Sequence, residues 1–187
     1  MSTFEFVFSL FGLLLGLSLA EVLHGFGKAL KARARVRIGW LTPLLGLIVM
    51  LDLTSFWTTA WTAREQITVN YLTLMMLLVF TGLYYLAATL IFPENPDNAP
   101  DFDAHYWANK RFVLGAVILL NVPELAFDWW TGSIAVDGWG RWLILITFFG
   151  SLIAAWTLRN ARASAALLVL LVSLYPLQSA LAVLGFT

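Results

Sequence analysis

Six stretches, each close to the roughly 20 apolar residues that a helix needs to cross a bilayer, divide this 187-residue chain: Phe4–Gly27, Ile38–Trp61, Ile67–Phe92, Phe112–Trp130, Trp142–Leu158 and Ala163–Phe186. Hydrocarbon offers backbone groups no water, so runs of this length are expected to be helices that close their own hydrogen bonds. Hydrophobic residues make up 60% of the chain and charged residues 12%, against roughly half and a quarter in a soluble domain. The expected fold is an all-α polytopic membrane protein with six transmembrane helices, forming a single domain over residues 1–187. The N-terminus lacks a basic n-region and a small-residue cleavage site, so the first run is expected to be retained as a helix. The connections are too short to hold a soluble domain.

Charge then orients the helices. Lys28, Lys31, Arg33, Arg35 and Arg37 occupy the first connection, Lys110 and Arg111 the third, and Arg159 and Arg162 the fifth. Only Arg64 and Arg141 occupy the second and fourth. Basic residues concentrate on the cytoplasmic side, which places both termini outside, in a cell membrane of the bacterial inner-membrane kind. Tryptophans favour the headgroup level. Trp40, Trp107 and Trp156 mark the inner boundary, and Trp61, Trp129, Trp130, Trp139 and Trp142 the outer one. Basic and acidic residues balance at 11 each, so net charge gives no reason to expect nucleic acid. The absence of cysteine removes disulfides, thiolate metal sites and cysteine nucleophiles.

The two halves show collinear similarity. Leu17-Ser18-Leu19-Ala20-Glu21 pairs with Leu120-Asn121-Val122-Pro123-Glu124, with Gly12 falling on Gly115. Ala60–Arg64 pairs with Ala155–Arg159, and Leu83–Leu90 with Leu174–Leu181. A unit of three helices must enter a second time upside down. The pattern therefore predicts a 3+3 inverted-topology repeat, about 4–92 and 112–186, separated by a cytoplasmic loop 93–111. Transporters built this way gather their sites near the midplane. Glu21 lies seven residues before Lys28, and Glu124 seven before Thr131. Each carboxyl would sit about 10 Å inside its own face of a ~30 Å core.

The candidate residues are polar groups stranded in these spans. Glu21 and His24 share a face of the first helix at a spacing of three, as a proton relay or as a neutralised structural pair. Asp52 lies about 15 Å from the outer end of the second span. There it is expected to be protonated, paired or facing water. Asn121, Glu124 and Asp128 fall at i, i+3 and i+7 on the fourth span, beside Pro123. Tyr175 and Gln178 flank Pro176 on the sixth. An intrahelical proline frees a carbonyl in the preceding turn, and such spans often border water or a cavity. No lysine or arginine lies at comparable depth, which leaves His24 as the only cationic candidate for Glu21, Asp52 and Glu124. The alternative is that protonated carboxyls serve as interhelical hydrogen-bond donors.

Gly12, Gly16 and Ala20 form a small-residue ridge suited to helix packing. The acidic run Glu94, Asp97, Asp101 and Asp103 reads as a solvated loop, or less readily as a cation site, with a helical turn over 101–110 leading into the fourth helix. Haem-ligating histidine pairs, phosphate loops and hydrolase signatures are absent. No cofactor, metal or catalytic residue is expected, and the chain is not read as an enzyme. The functional expectation is a channel or secondary transporter for protons or a cation, working through these carboxylates. The alternative is a non-transporting subunit or assembly scaffold of a larger complex, and the third reading an intramembrane enzyme acting on a lipid or quinone. The expected partners are the lipid bilayer, a proton or cation, and a second copy or a larger membrane complex.

Overall fold

The computed structural model describes residues 3–65, 68, 70–95, 101–131 and 139–183; within its helices the side chains of residues 3, 4, 6, 124, 127, 128, 130, 131, 139, 141 and 181–183 lie outside the described ones. Among the described residues six helices follow one another: α1 Thr3–Ala32, α2 Leu41–Thr62, α3 Tyr71–Thr89, α4 Phe102–Thr131, α5 Trp139–Thr157 and α6 Ala161–Val183. Four contain segments long and apolar enough to cross a membrane: Val7–Ala32 of α1, the whole of α2 and of α3, and Ala161–Ala180 of α6. The apolar part of α5, Trp142–Thr157, is shorter.

Local chemistry explains three of the helix starts. Asn70 caps α3 by accepting a hydrogen bond from the Thr73 N–H at 2.9 Å, and Asn160 caps α6 through the Arg162 and Ala163 N–H groups. Asp101 caps α4 at the Ala104 N–H. That cap lets α4 begin at Phe102, ten residues before the expected start of the fourth span. Residues 102–111 are therefore helix and not loop. The turn foreseen over 101–110 is the first part of one continuous 30-residue helix.

α2 differs, because Trp40 at its N-cap position makes no side-chain cap. Its first amide, Leu41 N–H, donates instead to Asp103 Oδ1 at 3.2 Å, from the start of α4. Thr42 Oγ1 donates to the Phe102 carbonyl at 2.5 Å. Gly39 precedes this contact with φ of +65°, and a Cβ there would stand 2.2 Å from Asp103 Oδ2. Only glycine fits both the left-handed backbone and the approaching carboxylate.

In the bundle α1 lies mainly along α3, α6 packs on α2 and α5, and α4 packs on α2, α5 and α3. These neighbours are not exchanged symmetrically between the halves. α4 and α6, which the expected repeat would match to α1 and α3, do not pack along each other among the described residues. The tightest approach is at Gly25 of α1, where a Cβ would come 2.1 Å from the Phe92 ring, which also leans on Gly46 of α2. The foreseen glycine ridge behaves differently: Gly12 receives the Trp57 indole, whereas Gly16 faces open space.

The three basic connections meet at one end of the bundle. Lys28 Nζ donates to the Glu94 carbonyl at 3.2 Å, and the Phe102 N–H donates to the Arg37 carbonyl at 3.1 Å. Trp156 Nε1 donates to the Arg111 carbonyl at 2.9 Å, which joins the third connection to the fifth.

Candidate functional site: a buried carboxylate shared by four helices

Asp52, halfway along α2, is 1% exposed. Its carboxyl accepts three hydrogen bonds, each from a different helix. Tyr84 Oη of α3 donates to Oδ2 at 2.9 Å, while Asn121 Nδ2 of α4 and Tyr175 Oη of α6 each donate to Oδ1 at 2.8 Å. Asn121 Nδ2 also donates to the Val117 carbonyl one turn back, at 2.8 Å, which aims the amide across the helix interface. Each tyrosine ring is held edge-on by a phenylalanine. Phe56 of α2 sits 5.6 Å from Tyr84, and Phe148 of α5 sits 5.6 Å from Tyr175. Four helices thus converge on one side chain, and α5 supports the cluster through the Phe148–Tyr175 ring contact.

The donor set is neutral, which decides what it can do. An ionised carboxylate accepts from all three partners. A protonated one donates its own hydrogen to a tyrosine oxygen, because a phenol both donates and accepts. One arrangement of heavy atoms therefore accommodates either charge state. Removing a partner is costly, since an unsatisfied buried polar group loses about 1–3 kcal/mol.

The other foreseen residues are placed elsewhere. Glu21 is half-buried on α1 and His24 is exposed, and no hydrogen bond or ion pair joins them to each other or to Asp52 among the described residues. His24 is thus not the partner of the central carboxyl; hydroxyl and amide donors from other helices take that part. The side chains of Glu124 and Asp128 lie outside the described residues. Gln178 is half-buried one turn beyond Tyr175 and makes no hydrogen bond to Asp52. Pro123 and Pro176 both sit inside unbroken helices. Of the eight foreseen positions, Asp52, Asn121 and Tyr175 meet. Tyr84 was not foreseen, although the pairing of Leu83–Leu90 with Leu174–Leu181 sets it opposite Tyr175 and carried the signal.

A second polar group lies at the basic end. Lys110, 2% exposed, donates from Nζ to the Ala155 carbonyl at 2.7 Å and to the Leu158 carbonyl, where α5 ends. Its ammonium stands 4.5 Å from the centre of the Trp107 ring. Burial, aided by Arg111 and Arg159, pulls its pKa below the usual lysine range. Burial also raises the Asp103 carboxyl above its usual 3.8, against the Leu41 N–H, which favours the anion. Tyr106 is fully buried and pushed up to about 12, chiefly by burial, with nearby Ser164 pulling the other way. Among the described residues, nevertheless, neither the Tyr106 nor the Ser164 hydroxyl completes a hydrogen bond.

Two members of the acidic run are thereby accounted for, Asp101 and Asp103 at helix starts; Glu94 bonds Lys28 through its backbone carbonyl, and Asp97 lies outside the described residues. Among the described residues no group of three or more histidine, aspartate or glutamate side chains is placed to hold a metal ion.

Comparison with protein-family models, with curated proteins and with solved structures finds no match to this chain. The functional reading therefore rests on the site's own chemistry.

Proposed function

We propose that this chain is a proton-coupled membrane carrier in which Asp52, in place of the Glu21 and Glu124 pair, is the group that takes up and releases the proton. The observation that carries this reading is the junction itself: one sealed carboxyl holds Tyr84, Asn121 and Tyr175 on three further helices. A carrier needs an element with two arrangements, biased by a local change of charge. Gaining or losing a proton at Asp52 reverses the sense of at least one of these bonds, and so acts at the junction of four helices. A carrier fits better than an open channel, because the carboxyl is enclosed by its partners.

In this reading all six helices cross a cell membrane, with the basic end cytoplasmic and both termini outside. The halves descend from an inverted repeat. That descent is supported by Tyr84 and Tyr175, paired positions that reach the same carboxyl, while the differing helix neighbours mark how far the halves have diverged.

Reconstitution into liposomes tests the reading. Under an imposed pH gradient the wild-type protein moves protons into vesicles holding a pH-sensitive dye, and replacement of external cations identifies any co-transported ion. Asp52→Asn keeps the size and most hydrogen bonds of the side chain but cannot titrate, and it abolishes that flux with helix content retained. Wild-type flux in the variant removes Asp52 from the mechanism. A second reading, a non-transporting subunit or scaffold, is favoured by the completeness of the Asp52 bonds, which also suits a permanent clamp. Wild-type protein without flux, purified with a stoichiometric membrane partner, decides for it.

A further inference from the structure

The geometry points to a binding site for an anionic phospholipid headgroup at the basic end, where Arg111 of α4 and Arg159 of the α5–α6 connection lie near buried Lys110 and Arg162 opens α6 three residues on. This site is remote from Asp52 and goes beyond the transport reading; it holds whether the chain is a carrier or a scaffold.

Buried Lys110 draws these residues together. Its bond to the Leu158 carbonyl brings Arg111, its neighbour in sequence, to the end of α5 that Arg159 follows, and Arg162 stands in the first turn of α6. The charges of Arg111 and Arg159 both reach the Lys110 ammonium. All three arginines are exposed, and none forms an ion pair with an acidic side chain among the described residues. The first basic connection is different. There Lys28 is bonded to the Glu94 carbonyl, and Arg37 lies within reach of the Asp103 charge.

Trp156 bonds the Arg111 carbonyl through its indole N–H and lies beside Gly115, whose missing side chain leaves room for it. It is 40% exposed, a placement suited to the headgroup level. Toward the bilayer centre α4 and α5 present exposed Phe112, Leu119 and Ile153, an apolar strip against which acyl chains can lie. Guanidinium groups match phosphate oxygens in a forked geometry, and basic clusters between helices at this level are suited to anionic headgroups. A lipid supplies both the phosphodiester for the arginines and the chains for the strip, whereas a soluble anion supplies only the first.

The test is a titration of the purified protein in neutral detergent, with melting temperature as readout. Phosphatidylglycerol is expected to raise it saturably; phosphatidylcholine and inorganic phosphate are not. The double variant Arg159→Gln/Arg162→Gln raises the half-saturating phosphatidylglycerol concentration by roughly tenfold or more, from about 1 kcal/mol for each basic residue near an anionic surface. Lys31→Gln/Arg33→Gln, equal in charge removed, changes it by less than about twofold. Native mass spectrometry checks the same difference by counting lipids retained per chain, without recourse to stability. An equal response to phosphatidylcholine, an equal response to phosphate, or an equal loss in the Lys31/Arg33 variant overturns the assignment.

Discussion

The middle and the basic end of this bundle both bury ionisable side chains, and they compensate them by opposite means. In the middle, Asp52 is surrounded by two phenols and an amide carried on three other helices. At the basic end, Lys110 is held by the last carbonyls of α5, and Asp103 by the first amide of α2. Helix termini carry partial charges, positive at the start and negative at the end. A cation at a C-terminus and an anion at an N-terminus are therefore each matched to one charge state only. Phenols and amides impose no such choice. The helix ends favour the charged forms of Lys110 and Asp103 against the opposing pull of burial, whereas the donors around Asp52 serve either form.

That contrast can be broken experimentally, most forcefully at Lys110. Lys110→Ala strips the α5 terminus of two charge-assisted bonds in a buried setting, and about 3 kcal/mol of stability should be lost, combining the bonds and the helix-end interaction. Denaturant or thermal unfolding in mixed micelles measures it, and a loss below about 1 kcal/mol would mean that water replaces the ammonium freely. Smaller effects are expected in the middle. Tyr84→Phe and Tyr175→Phe should each cost about 1 kcal/mol, the scale of interhelical hydrogen bonds in bilayers. Both costs should vanish in an Asp52→Leu background, because the shared acceptor is gone. A double-mutant cycle measures the coupling, and additive losses would show that the tyrosines act by packing alone.

The smallest expected effect is a pH dependence at Asp103. Burial raises its folded pKa above the unfolded value, so the folded state holds this proton more tightly. Stability then falls as pH rises from the ordinary carboxylate range through the raised folded pKa. Melting curves of wild type and Asp103→Asn, compared across that window, should converge at low pH once the constant effect of the substitution is subtracted. A wild-type curve that runs parallel to that of the variant would place Asp103 in open solvent.

The number and position of the helices were legible in the sequence because apolar length is a local property. The observed helices begin and end within a few residues of the apolar runs, except α4, whose Asp101 cap extends it back to Phe102. The meeting of the three basic connections at one end follows from the same alternation of spans and loops. The choice among carboxylates was less legible. Glu21, Asp52 and Glu124 all read as costly charges in apolar surroundings, and nothing local separates the half-buried Glu21 from the sealed Asp52. The acidic run divides in the same way. Asp101 caps its own helix three residues on, a local contact, whereas Asp103 meets the first amide of α2, which only folding brings within reach.

By itself, then, the chain's apolar run lengths and basic clusters determined six helices and their common basic end, since both depend on neighbours along the chain. The tertiary structure alone decided which acid became the centre and which cation was buried. Those outcomes depend on Tyr84, Asn121 and Tyr175 arriving together at Asp52, and on the end of α5 arriving at Lys110. A buried polar group is retained where its bonds are completed, and here the atoms that complete them come from distant parts of the sequence.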